Sequence, residues 1–168
     1  ASESGMVVAR NGEAVFPVRS RQLVIEGMNI GLSFGGSWDK NVVETDGIHG
    51  QVAEELSQER EIPSEMDVET YYLGTTRRLE LLGKPDCSVV TIVDGVPEWS
   101  IGSREDTEVI VTEIVPEHVT VDDIEALFEH IEMVNKRVLE LLQDSPYPPS
   151  AGLLYWLYLL NEAANSDS

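Results

Sequence analysis

The stretch Thr107-Glu108-Val109-Ile110-Val111-Thr112-Glu113-Ile114-Val115, followed by Pro116 and then Thr120-Val121-Asp122-Asp123-Ile124-Glu125-Ala126-Leu127-Phe128, is where the chain changes period. Before the proline, Val109 and Val111 fall on one face and Ile110, Thr112 and Ile114 on the other, which predicts a strand. After it, Ile124, Leu127, Phe128, Ile131, Val134, Val138, Leu141 and Leu142 recur at three- and four-residue spacing along one stripe. That spacing predicts one long amphipathic helix. Thr120 is its expected N-cap, and Asp122 and Asp123 lie in the first turn, where carboxylates favour the positive end of the helix dipole. Pro146 bounds it.

Working outward, the upstream half reads as strands. Met6-Val7-Val8-Ala9-Arg10 runs into Asn11-Gly12, a two-residue hairpin signal. The return strand is expected over residues 14–25, with Pro17 demanding an edge, a bulge or a break. Met28, Ile30, Leu32 and Phe34 alternate with small or polar residues, the pattern of a half-buried strand. Residues 68–82 read as a strand bent at Gly74, and Ser88-Val89-Val90-Thr91-Ile92-Val93 as another, stopped by Asp94-Gly95. Patterning weakens over residues 38–63, which are expected to be a long partner-facing excursion carrying one short helix. The expected fold class is α+β: a mainly antiparallel β-sheet or sandwich, one long amphipathic helix, and a short apolar C-terminal helix. Residues 1–144 form one expected domain with a mobile tail at 1–5. A stiff Pro-rich linker at 145–150 leads to a C-terminal helix and polar end at 151–168.

Charge narrows the environment and the partners. Against 31 Asp and Glu the 168 residues carry only 11 Lys and Arg, a formal net charge of −20. Such a polyanion repels phosphate backbones, which excludes a general nucleic-acid binder with a basic footprint. The acids are spread through every segment, so self-repulsion destabilises the compact state in dilute buffer. Molar salt shortens the Debye length to about 3 Å and removes that cost. The composition resembles that of proteins from salt-in halophiles. No apolar run reaches the length of a membrane span.

Chemistry-bearing patterns are sparse. His49, His118 and His130 are isolated in sequence, without the close pairing of metal ligands. Cys87 precedes an apolar strand in acidic surroundings, which oppose a thiolate, and reads as a packing residue. The glycines from Gly31 to Gly36 match neither a dinucleotide-binding fingerprint nor a P-loop. No catalytic residue, cofactor or metal site is expected on this reading. The residues that stand out are apolar: Leu153, Leu154, Tyr155, Trp156, Leu157 and Tyr158 make a helix apolar on every side, expected to be an interface with Trp156 as anchor. Trp38, opening the excursion, joins that interface set.

The passage from Val68 to Leu81, with Lys84 and Ser88-Val89-Val90-Thr91-Ile92-Val93, resembles the strand, kink, strand passage of tail tube and related tail proteins of tailed viruses. The resemblance implies sheets joined between subunits and a loop reaching a neighbour. With it, the expected function is a non-enzymatic, self-assembling virion component of a halophilic system, found in the virion or the host cytoplasm. Its expected partners are copies of itself and other structural proteins, with neither sequence-specific nucleic acid nor a membrane span. The alternative is a cytoplasmic adaptor module of a halophilic archaeon.

Overall fold

The structure is a computed structural model that describes residues 1–19, 28–37, 40–60, 62, 68–77, 82–94 and 106–166. Its elements are β1 (Ser2–Ala9), β2 (Glu13–Arg19), β3 (Phe34–Ser37), α1 (Lys40–Arg60), β4 (Val68–Arg77), β5 (Pro85–Val93), β6 (Asp106–Glu113), α2 (Ile124–Glu129), α3 (Ile131–Asp144) and α4 (Ala151–Ser166). The strands form one six-stranded sheet in the order β4-β5-β1-β2-β6, with β3 paired to β1 off that path.

Two apolar clusters cover the sheet. Met6, Val8, Phe16, Val90 and Ile92 pack beneath α2, α3 and α4 with Leu127, Val134, Val138, Leu153, Trp156 and Leu160. Val7, Ala9, Val15, Phe34, Val89 and Val93 pack on the other face, with Val52 and Leu56 of α1. A sheet covered on both faces has apolar residues pointing both ways. The consecutive runs Met6–Ala9 and Val89–Val93 are the sequence form of that arrangement, and β1 and β5 pair parallel, from Ser2↔Asp86 to Ala9↔Val93. The expected α+β class holds, and four of the five strand pairings are antiparallel, but the parallel β1–β5 pairing makes the expected mainly antiparallel sheet or sandwich one mixed sheet between helical layers. Alternation arguments presuppose one wet face, and the centre of this sheet has none.

Other expectations fare variously. The hairpin at Asn11-Gly12 forms, with Gly12 at φ +91° and its N–H donating to Ala9 O at 2.8 Å. β4 bends where its register against β5 shifts, between Tyr72 and Gly74. The strand expected from Met28 to Phe34 reduces to the start of β3 and two isolated bridges at Ile30, to Val18 and to Pro149, and Met28 takes φ +62°. The single long helix is two: Asp123, not Thr120, caps α2 by accepting from Ala126 N at 3.2 Å, and His130 separates α2 from α3. The excursion is largely the helix α1, interrupted at Gly47 with φ +72°. The expected linker is held as well, because Ile30 N donates to Pro148 O and Ser150 N donates to Ile30 O. No helix among the described residues is long and apolar enough to cross a membrane.

Candidate active site

The chemistry collects beneath α1. Past the Gly47 interruption, Val52 and Leu56, four apart, seat the helix on the sheet. Gln51 and Glu55, also four apart and one position earlier, share that inner flank. Gln51 is buried, and its Nε2 donates to Glu55 Oε1 at 3.1 Å. The Glu55 carboxylate lies flat on β3: a Cβ built on Gly36 would stand 2.5 Å from Oε1, 2.7 Å from Cδ and 2.8 Å from Oε2. Only glycine leaves that space.

The neighbouring Glu54 accepts from Gln58 Nε2 through Oε1 at 3.2 Å, while its Oε2 is buried without a hydrogen-bond partner. A buried carboxylate oxygen left unpaired costs its full desolvation penalty, so such an atom marks a place for a cation or donor. Glu3, fully buried, pairs in register with Gly36 on one side and Cys87 on the other. Strand alternation puts it on the face of Val7 and Ala9, under α1. Arg60 closes α1 and is buried as well, its guanidinium Nε donating to Ser33 O at 2.5 Å. Both a buried acid and a buried base thus belong to this part of the molecule, and either would be costly without partners.

Ser33 ties β1, β2 and α1 together. Its hydroxyl accepts from Val7 N at 2.8 Å and donates to Val15 O at 2.6 Å, bridging β1 and β2 where they part beyond Val8↔Ala14. Among the described residues no three His, Cys, Asp or Glu side chains stand close enough to hold a metal ion by themselves. His49 and His118 are exposed, and Cys87 is buried, its Sγ 3.6 Å from Thr75 Oγ1.

The residues singled out in sequence lie elsewhere. Leu153 and Trp156 are buried against the sheet of their own chain, and Trp156 Nε1 donates to Val89 O at 3.0 Å. Leu157 is half-buried, and Leu154, Tyr155 and Tyr158 point outward. Trp38 lies outside the described residues. Gln51, Glu54, Glu55, Arg60 and Glu3 were missed because the run from Glu54 to Glu61 reads as a solvated polar stretch. The two adjacent four-residue pairs, Gln51/Glu55 and Val52/Leu56, were the available signal.

No family model and no curated protein matches the sequence. Solved structures do. The MutT protein from Methanosarcina mazei Go1 superposes with a TM-score of 0.56 at 17% identity, over 99% of this chain and 92% of that one. A Nudix-family hydrolase from Clostridium perfringens gives 0.55 at 10%, over 96% of each chain. An Ap4A hydrolase from C. elegans gives 0.50 at 10%, over 84% of this chain and 98% of that one. These neighbours overturn the resemblance to viral tail proteins, and with it the virion, adaptor and non-enzymatic readings. Those readings took the lack of a familiar motif for a lack of chemistry, and took a strand, kink, strand pattern common to many sheets for a family signature. At these identities what is shared is the fold, and the fold is that of the Nudix hydrolases.

Proposed function

We propose that this chain hydrolyses a phosphate anhydride in a nucleoside-containing substrate, with Glu54 and Glu55 of α1 at the reacting centre. The observation that carries the reading is the buried, unpartnered Oε2 of Glu54, on the residue next in sequence to Glu55, whose carboxylate is packed against Gly36. Support also comes from the fold shared with a MutT protein and a Nudix-family hydrolase.

A chain of net charge −20 needs help to approach a polyphosphate. A divalent cation supplies it, neutralising phosphate charge and polarising the phosphoryl oxygen. The donors present fit such an ion: all are hard oxygens, and magnesium is commonly held by one or two carboxylates with water and substrate phosphates completing the shell. Glu54 Oε2 and the Glu55 carboxylate would hold it. Gln51 does different work, because its amide N–H fixes Glu55 in one rotamer without adding a third negative charge. Gly36 leaves room for that rotamer.

The test is hydrolysis of a panel of dinucleoside polyphosphates, nucleoside triphosphates and ADP-ribose in molar KCl, with and without Mg²⁺ or Mn²⁺. Metal-dependent turnover is expected, with Glu54→Gln lowering kcat about a hundredfold. No turnover across the panel, or an unchanged Glu54→Gln enzyme, overturns the reading.

A further inference from the structure

On the opposite sheet face, α4 crosses β4 closely because Gly74 lies under Leu159, where a Cβ would stand 3.0 Å from Cδ2. Beside that crossing is an open groove of about 670 Å³, within the size range of sites that enclose a small molecule. Leu154, Tyr155, Tyr158 and Leu159 line its α4 side, and Thr76 lines its β4 side. Two residues on from Gly74, Thr76 belongs to the strand face turned toward α4. Its Oγ1 is buried and makes no hydrogen bond. A hydroxyl withdrawn from water without a partner costs the fold free energy. A ligand atom bonded to it would recover that cost without displacing any bond the protein already makes.

We infer that this groove is a second small-molecule site, on the sheet face away from α1, and that it takes an uncharged, flat heterocycle of nucleoside size. Tyr155 and Tyr158, three apart on α4, place two aromatic rings along one wall, where a flat ring is held by offset stacking. The Thr76 hydroxyl both donates and accepts, so it matches the ring nitrogens and amino groups on a heterocycle's edge. An aliphatic chain in the same groove would leave that hydroxyl as unpaired as before. The net charge of −20 disfavours a phosphorylated ligand, which selects the nucleoside over the nucleotide. The site shares no residue with the centre proposed at Glu54 and Glu55, and the inference stands whether or not that centre is hydrolytic.

Equilibrium dialysis of the full chain in molar KCl against adenosine, guanosine, cytidine and uridine reads the outcome. At least one nucleoside is expected to bind saturably with a Kd below about 1 mM. Thr76→Val should weaken that binding about tenfold while its thermal midpoint holds or rises, because the variant loses a buried hydroxyl that had no partner. Tyr158→Ala should weaken it by about as much. Glu54→Gln, on the other sheet face, leaves it as it was. The inference is overturned if no nucleoside binds, if 1-hexanol displaces the nucleoside as well as a second nucleoside does, or if Thr76→Val binds like the parent or melts below it. Binding abolished by Glu54→Gln and kept by Thr76→Val would place the nucleoside on the α1 face and overturn it equally.

Discussion

Replacing Gly36 by alanine separates the site's geometry from the fold's stability. The new Cβ would lie 2.5–2.8 Å from the three terminal atoms of Glu55, against roughly 3.5 Å for an unstrained contact, so the carboxylate must retreat by about 1 Å. What it strikes is the end of a flexible side chain, and the backbone need not move. The stability terms are small and opposed. Losing the Gln51–Glu55 hydrogen bond costs about 1 kcal/mol, while removing a glycine's freedom from the unfolded chain returns about 0.5 kcal/mol. The midpoint should therefore fall by no more than about 2–4 °C. Catalysis has no such compensation, since a 1 Å misplacement of a reacting group costs about a hundredfold. Gly35→Ala is the control on the same strand: its Cβ would meet Ser4 Cβ at an ordinary 3.4 Å and lies away from Glu55. The assay is kcat on the best substrate of the panel beside a calorimetric melt, both in molar KCl. Full activity in Gly36→Ala would refute the placement of Glu55 at the reacting centre, and equal loss in both variants would show that strand β3 itself was disturbed.

Trp156→Ala should act on stability rather than association, lowering it by about 3–5 kcal/mol, because the ring is fully buried and its N–H satisfies Val89 O. A melt that matches the parent would put α4 outside the core. Tyr71 is the pH-sensitive group, its phenol pushed up to about 12 chiefly by its hydrogen bond to Glu69, 2.5 Å away. Its folded-state pKa lies above the unfolded 10.0, so its contribution is intact below pH 10.0 and is lost as pH rises toward 12, where the unfolded chain ionises first. Ultraviolet titration should show one late phenolate that returns to the ordinary range in Glu69→Gln, and an unchanged titration in that variant would exclude the hydrogen bond as the cause.

The elements legible in sequence are those decided locally. Asn11-Gly12 dictates its hairpin because few residues tolerate the turn's positive φ, and the stripe from Ile124 to Leu142 buries the side it predicts, with Leu127, Val134 and Val138 inside. Where pairing is non-local the sequence is silent. Nothing within Met6–Ala9 says that its parallel partner is Val90–Val93, more than eighty residues away. The site failed for a related reason. Glu54 and Glu55 are two acids among 31, and what distinguishes them is the glycine of another element beneath Glu55 and a buried oxygen on Glu54. Composition conceals where charge is desolvated. The apolar run at Leu153–Leu160 misled in the opposite direction: it covers its own sheet with Leu153, Trp156 and Leu160, and only the remaining side chains are available to a partner.

The topology explains why the acids sit where they do. β1 shares one edge between two partners: β2 near Ala9 and β3 over Ser2–Gly5. A strand can be shared in this way only if the partners part, and parting exposes backbone groups that must find other bonds. Ser33 satisfies two of them, taking Val7 N–H and giving its own O–H to Val15 O. The carbonyl of Ser33 then holds Arg60, the last residue of α1. One residue therefore ties both sides of the splayed sheet to the end of the helix. Within the segment from β3 to α1, Gln51 holds the Glu55 carboxylate against Gly36. The fixed carboxylate follows from how the sheet divides at β1, which is why it depends so little on the residues next to it in sequence.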